Sequence, residues 1–369
     1  MSFYRNTYAS IDLDALSYNI KQLATHHQKG LIAIIKANAY GHGDEMIAKY
    51  ALANGAVMLG VSSLDESMSL RRKKVIGEIL SLGYVSPTHL PVALKNQIIL
   101  TASSLEWVKE IVLCDCTGLR VHIKVDTGMN RIGMQTLDEV LESLALLLEH
   151  QISVEGIYTH FSSSDDPTDT ITKKQYEDFE KVLAKIDYAF KWVHASNSDA
   201  ALHFDTPRCN AVRLGLAMYG YSTYPNKLKP VLTLYSALVH VKTIKAKQSV
   251  SYGATYTAKQ DEIIGTIPIG YADGWNRMHQ GDVAYIGSSA CEYVGRICMD
   301  QCMIRLDKEY PVGTLVELLG TQAKLFDMAK RMHTISYEIL TQISDRIPRV
   351  YILNNKTIKV INTRFRYDE

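Results

Sequence analysis

The feature that most limits what this chain can fold into is a repeated alternation over its first two-thirds. A short apolar run is followed by a polar tip and then by a stretch of helical periodicity. The apolar runs are Leu31–Ile35, Ala56–Val61, Glu78–Leu82, Ile98–Leu100, Val121–Val125, Val154–Tyr158, Trp192–His194 and Val212–Leu216. Runs this short read as strands, while Asp12–Gln28, Asp44–Asn54, Leu137–His150 and Lys173–Tyr188 carry helical spacing. Asp12 and Asp44 stand where N-caps belong, and Asn54-Gly55 where a helix stops. About eight β-α units predict a closed parallel barrel of the TIM type, which typically needs ~250 residues. A doubly wound open sheet is disfavoured because no G-x-G-x-x-G fingerprint follows the first strand.

From about Leu232 the pattern changes. Leu234–Ile244, Ile263–Ile269, Asp282–Ile286, Val294–Ile304, Thr314–Leu319 and Val350–Leu353 read as strands separated by glycine-containing turns, and Phe326–Thr341 reads as a helix. That change predicts a second, mostly antiparallel β domain. The boundary falls in Tyr224–Pro230, so the expected division is a barrel over 1–228 and a β domain over 229–369, with residues 1–8 able to pair with the latter.

Composition excludes several classes. With 40 basic and 39 acidic residues the net charge is +1, which gives nucleic acid no hold, and Arg71–Lys74 reads as a solvated helix end. No run reaches the ~18 apolar residues a membrane span needs. The start, Met1–Thr7, lacks the apolar core of a signal peptide. The 6 cysteines form no C-x-x-C pair. A cytoplasmic protein with reduced thiols and no metal is expected.

Barrel enzymes place their chemistry at the C-terminal ends of the strands, so the polar tips matter most. The first run ends in Lys36, followed by Ala37-Asn38-Ala39-Tyr40-Gly41-His42-Gly43. A lysine closing a buried strand must desolvate its ammonium or use it. On the strand alone it fits either a snorkelling rim lysine or a Schiff-base lysine of lowered pKa. The last two strand ends offer Asn197 and Ser198, the latter positioned to cap a helix to Leu202, and the backbone at Gly215 and Leu216. Such groups suit a phosphate. An aldehyde trap and a phosphate cradle in one mouth point to pyridoxal phosphate. Arg213 stands at the eighth strand and His160 at the sixth; taken singly they fit an ion-paired arginine and a core histidine. Against a pyridine nitrogen, an arginine would donate without surrendering a proton, which suits Cα proton exchange better than transamination.

Five segments taken together resemble the alanine racemase family. They are Ala33–Gly43, Asp126-Thr127-Gly128-Met129-Asn130-Arg131-Ile132-Gly133, Ser251–Tyr256, Ile269–Gly274 and Gly295–Asp300, in order along nearly the whole chain. The resemblance implies interconversion of L- and D-alanine by two bases on pyridoxal 5'-phosphate, supplying D-alanine for peptidoglycan. Lys36 would hold the cofactor and act as one base, and Tyr252 of a partner subunit as the other. Tyr40, Ser198, Gly215, Leu216 and Tyr337 match phosphate-binding positions, with Asn197 beside them, and Arg213 matches the pyridine-nitrogen partner, with His160 adjacent. Arg131 and Met299 match groups that receive the substrate carboxylate, and Tyr271 a tyrosine at the mouth of the substrate path. Lys124, on the same side of its strand as Asp126, matches a lysine carbamylated in some members. Asn130 departs from the pattern, where many relatives carry glycine. Without the resemblance, Tyr252 reads as a cross-strand aromatic. A head-to-tail homodimer with shared sites is implied. A serine/alanine racemase of wider range, a basic-amino-acid decarboxylase and a non-catalytic cofactor carrier are the competing readings; Arg213 counts against the second and the β domain against the third.

Overall fold

The computed structural model describes residues 3–365 except 167, 169, 225 and 226. Two positions of the expected 224–230 linker, the first two residues of the chain and its last four therefore lie outside the described residues. The chain divides into two compact units. One comprises Leu16–Ala39 and Asp44–Lys229; the other comprises Met1–Ala15, Tyr40–Gly43 and Pro230–Glu369.

The first strand, β1 (Tyr8–Asp12), belongs to the second unit. The other unit is a closed barrel of eight parallel strands: β2 (Gly30–Ile34), β3 (Ala56–Val61), β4 (Ile79–Ser81), β5 (Ile98–Ala102), β6 (Arg120–Lys124), β7 (Ser153–Tyr158), β8 (Trp192–His194) and β9 (Ala211–Leu214). Pairing of β9 with β2 closes it, from Gly30 opposite Ala211 to Ala33 opposite Leu214. Each strand coincides with an apolar run to within a few residues, because both faces of a parallel barrel strand are covered. The interior is unusually polar, however. His122, Lys124, His194 and Arg213 are all at most 4% exposed. Tyr158 hydroxyl and Thr101 Oγ1 lie 3.0 Å apart, and Thr101 in turn donates to Ser81 carbonyl at 2.8 Å.

The second unit holds β10 (Leu232–Ala237), β11 (His240–Ile244), β12 (Ser249–Val250), β13 (Tyr256–Thr257), β14 (Glu262–Ile267), β15 (Val283–Ile286), β16 (Ser289–Glu292), β17 (Cys302–Leu306), β18 (Leu315–Leu319), β19 (Arg349–Leu353) and β20 (Lys356–Ile361). Seven strands run in the order β16-β15-β18-β10-β1-β19-β20, beside a sheet β11-β14-β17 and a ribbon β12-β13. β1 sits centrally, antiparallel to β10 and parallel to β19, with Ala9 and Ile11 facing the core.

Three expected elements differ. Leu234–Ile244 is two strands, broken at Leu238-Val239. Within Val294–Ile304 only the end is strand, because Gly295 at φ +70° turns the chain and a loop occupies Arg296–Gln301. Phe326–Thr341 is two helices, Leu325–Arg331 and Ser336–Gln342, separated where His333 takes φ +52°.

Candidate active site

Lys36 follows β2 and is partly buried. Its pKa is lowered first by desolvation and then by Arg131, while Glu66 pulls it up and Arg213 pushes it down. A buried amine among cations gives up its proton more readily and becomes a nucleophile. The chain then turns through left-handed backbone, with Ala37, Asn38, Ala39 and Tyr40 at φ between 51° and 53°.

Arg213, on β9, is fully desolvated, and burial lowers its pKa to about 10, so it stays a cation at neutral pH. Its guanidinium donates to Ala195 carbonyl (2.7 Å), Thr159 carbonyl (2.9 Å), His160 Nδ1 (2.9 Å) and His194 Nδ1 (2.7 Å). Since arginine can only donate, His194 Nδ1 must accept, which leaves its proton on Nε2 facing His122 Nδ1 at 3.0 Å. Burial keeps both rings neutral: His122 falls to about 3, and His194 well below its ordinary value. His160 is likewise pushed well down, by burial first and then by Arg213, Arg131, Lys124 and Lys36. The strand-end rule could have found His194 by the logic that found His160; His122 needed the barrel closed.

Lys124, 2% exposed, donates to Val125 carbonyl at 2.7 Å, and its pKa is lowered to about 7, chiefly by desolvation. Asp126 Oδ1 accepts the N–H groups of Gly128 (3.0 Å), Met129 (2.9 Å) and Asn130 (3.1 Å), which shapes the loop carrying Arg131. Asn130 takes φ +53°, a conformation asparagine tolerates better than most non-glycine residues, so the departure from glycine is accommodated.

Ser198 does not cap its helix. The cap is Asn197, whose Oδ1 accepts Ala200 N–H at 3.1 Å. Ser198 lies one residue inside, and its Oγ accepts the N–H groups of Gly215 (3.0 Å) and Ala217 (3.2 Å), tying together the two segments that hold Ser198, Gly215 and Leu216.

In the β unit, Tyr40 and Tyr337 pack with ring centroids 5.7 Å apart. Tyr252, Tyr271 and Met299 are brought onto adjoining loops. Tyr271 N–H donates to Cys298 carbonyl and Ala272 N–H to Met299 carbonyl, both at 3.0 Å, and Ser251 Oγ donates to Arg296 carbonyl at 2.7 Å. A Cβ on Gly270 would lie 2.2 Å from Cys298 carbonyl oxygen, so only glycine permits this approach. Tyr252 is 72% exposed, Met299 53% and Tyr271 45%. Asp273 of the same motif is structural, holding Arg5 through two bonds of 2.8 and 2.9 Å.

A closed barrel holding a desolvated lysine among arginines, together with a β domain carrying exposed tyrosines, is the setting of a two-domain enzyme that works through a lysine amine. The profile of the alanine racemase N-terminal domain matches residues 11–223, and that of the C-terminal domain residues 231–351. Alanine racemase 1 of Bacillus subtilis is 42% identical over 98% of this chain and 96% of its own, and the enzyme of Anoxybacillus flavithermus 41% identical over 98% of each. The crystal structure of alanine racemase from Bacillus anthracis with bound L-Ala-P superposes with a TM-score of 0.93 at 39% identity, covering 98% of this chain and 99% of that one. The chain belongs to the alanine racemase family, and its reaction is the interconversion of L- and D-alanine. Members are pyridoxal-phosphate-dependent isomerases. The wider serine/alanine reading is not favoured by these relatives.

Proposed function

We propose that this chain racemises alanine with pyridoxal phosphate held covalently on Lys36, as a homodimer in which each copy completes the other's site. The observation that carries the reading is the lysine itself: partly buried, within electrostatic reach of Arg131 and Arg213, and lowered in pKa by all three circumstances. The donor set suits a phosphorylated aldehyde. Lys36 offers the amine, while Ser198, whose oxygen accepts the N–H groups of Gly215 and Ala217, keeps its O–H to donate to a phosphate, with the backbone of Leu216 beside it. Tyr40 and Tyr337 are the further phosphate candidates, and Asn197 and His160 support the constellation.

When bound, the cofactor supplies an electron sink that acidifies the substrate Cα–H. Arg213 would donate to the ring nitrogen of the bound cofactor and keep its own proton, since its pKa of about 10 is well above neutrality. Arg131 receives the substrate carboxylate, joined by Met299 of a second copy. Lys36 Nζ takes or returns a proton on one face of Cα, and Tyr252 Oη of the second copy does so on the other. Two bases are needed because inversion removes a proton from one face and delivers one to the opposite face. Tyr271 borders the substrate path. Lys124, neutral for much of its time near its pKa of about 7, adds through Nζ to carbon dioxide with loss of a proton. The resulting carbamate orients Arg131. The D-alanine made this way would serve peptidoglycan synthesis in the cytoplasm. Among the described residues no helix is long and apolar enough to cross a membrane.

The test is incubation with L-alanine and pyridoxal phosphate in D₂O, following chirality and Cα deuterium, with Lys36→Ala alongside. D-alanine carrying deuterium, lost in the variant, is expected. Exchange without inversion would remove Tyr252 from its role, and turnover surviving Lys36→Ala would overturn the reading.

A further inference from the structure

Four consecutive residues without glycine, Ala37 to Tyr40, occupy the left-handed region. L-residues visit it singly, because each places its Cβ against the following carbonyl oxygen, so such a run persists only where the surroundings hold it. The grip nearest Lys36 comes from outside the turn. Glu66 Oε1 accepts the N–H of Ala37 at 2.7 Å. Its other oxygen, Oε2, accepts both the N–H (2.7 Å) and the hydroxyl (2.8 Å) of Ser62. Glu66 stands in the first turn of the helix Leu64–Arg72, where Ser63 Oγ accepts its own N–H at 3.3 Å. Both carboxylate oxygens and the backbone of Glu66 are thus anchored. On the far side of the turn, Ala39 N–H donates to Ile35 carbonyl and Asp44 N–H to Asn38 Oδ1, each at 2.9 Å.

The peptide between Lys36 and Ala37 is therefore clamped at its N–H, and its orientation sets where the Lys36 side chain leaves the backbone. We propose that Glu66 is a positioning residue for racemisation, aiming Lys36 through the Ala37 N–H and standing beside it as a fixed negative charge. The charge has a use. Arg131 and Arg213 push the Lys36 proton off, whereas Glu66 pulls the other way. A base that must both take and return a proton needs that balance.

The inference rests on Lys36 as the residue that captures pyridoxal phosphate, and the experiment separates the two. Protein stripped of cofactor is mixed with pyridoxal phosphate, and the rate of adduct formation is followed by visible absorbance against pH. Lys36→Ala must abolish capture; if it does not, the cofactor reading and this inference fall together. With capture assigned to Lys36, Glu66→Gln is expected to slow it at least about 10-fold, the effect of losing a charge-assisted hydrogen bond. The midpoint of its pH profile should move to lower pH. Glu66→Asp keeps the charge with a shorter reach. Its midpoint should stay near the parent's while its maximal rate falls. A merely structural role would lower the melting temperature and leave the midpoint in place. A parent-like rate and midpoint in Glu66→Gln would overturn the proposal; should that variant not fold, a parent-like maximal rate in Glu66→Asp would do so.

Discussion

Arg213 organises the barrel interior, because a donor-only fork decides which nitrogen of each neighbouring histidine must accept. Lysine in its place would keep the charge but lose the planar fork. With three donors for the four acceptors at His194, His160, Thr159 and Ala195, at least one would then be left buried without a donor. At about 1–3 kcal/mol for a buried group left unsatisfied, Arg213→Lys should cost roughly that much in urea unfolding and lower kcat/KM by about 100-fold or more. Parent-like stability would show that the guanidinium does not set the network. Lys124 gives a pH signature. Its pKa is 10.5 in the unfolded chain and about 7 in the folded one, so between those values the unfolded state binds more protons. By linkage, stability of the uncarbamylated protein then rises with pH from about 7 towards 10.5 and is flat outside that window. In carbon-dioxide-free buffer, Lys124→Met should flatten this slope in the melting temperature. An equal slope in both proteins would refute the shift, and bicarbonate should flatten it in the parent if Lys124 is carbamylated.

At the scale of elements, the turn after β2 stores strain that glycine would relieve. Ala37 is exposed at φ +51°, so its methyl contributes little packing and only the backbone penalty remains. Ala37→Gly should raise stability by roughly 0.5–1 kcal/mol, measured by urea unfolding, and a loss would mean the turn is not strained. In β7, Gly156 makes room for a ring instead: a Cβ there would lie 2.7 Å from His122 Nδ1. Gly156→Ala should therefore cost about 1–3 kcal/mol and displace His122 from His194, visible as altered imidazole nitrogen resonances. The same elements show what a sequence carries. Lys36 and His160 stand out in the sequence as polar residues just beyond apolar runs and Arg213 as one set within the last run, although taken singly each also fits a structural role. The left-handed turn was not legible, since among Ala37–Tyr40 only Asn38 favours positive φ and one asparagine does not announce a run of four; the Glu66 bond to Ala37 N–H comes from a residue distant in sequence. The loop at Arg296–Gln301 was hidden by Ile297, Cys298 and Met299, which read as strand although Gly295 had already turned the chain. Ser198 was misread by one position, because serine and asparagine cap equally well and only the donor geometry separates them.

For the whole molecule, the proposed reading turns on where its second base, Tyr252, stands. Tyr252, at 72% exposure, lies on a loop cluster with Tyr271 and Met299, and Lys36 belongs to the barrel unit. An exposed tyrosine has no partner for Cα chemistry unless a second surface covers it, and the proposed head-to-tail pairing of identical chains would supply one. Sharing between copies makes a prediction that sharing within one chain does not. Mix Lys36→Ala protein with Tyr252→Phe protein under conditions where subunits exchange. Each variant alone is inactive, since every one of its sites lacks a base. In a mixed dimer one site inherits both defects and the other inherits neither. Random exchange of equal amounts makes about half the dimers mixed, so about a quarter of parental activity should return. The recovery should follow the rate of subunit exchange and vanish when exchange is blocked by cross-linking before mixing. If Lys36 and Tyr252 served the same chain, every site would carry one defect whatever the pairing, and mixing would restore nothing.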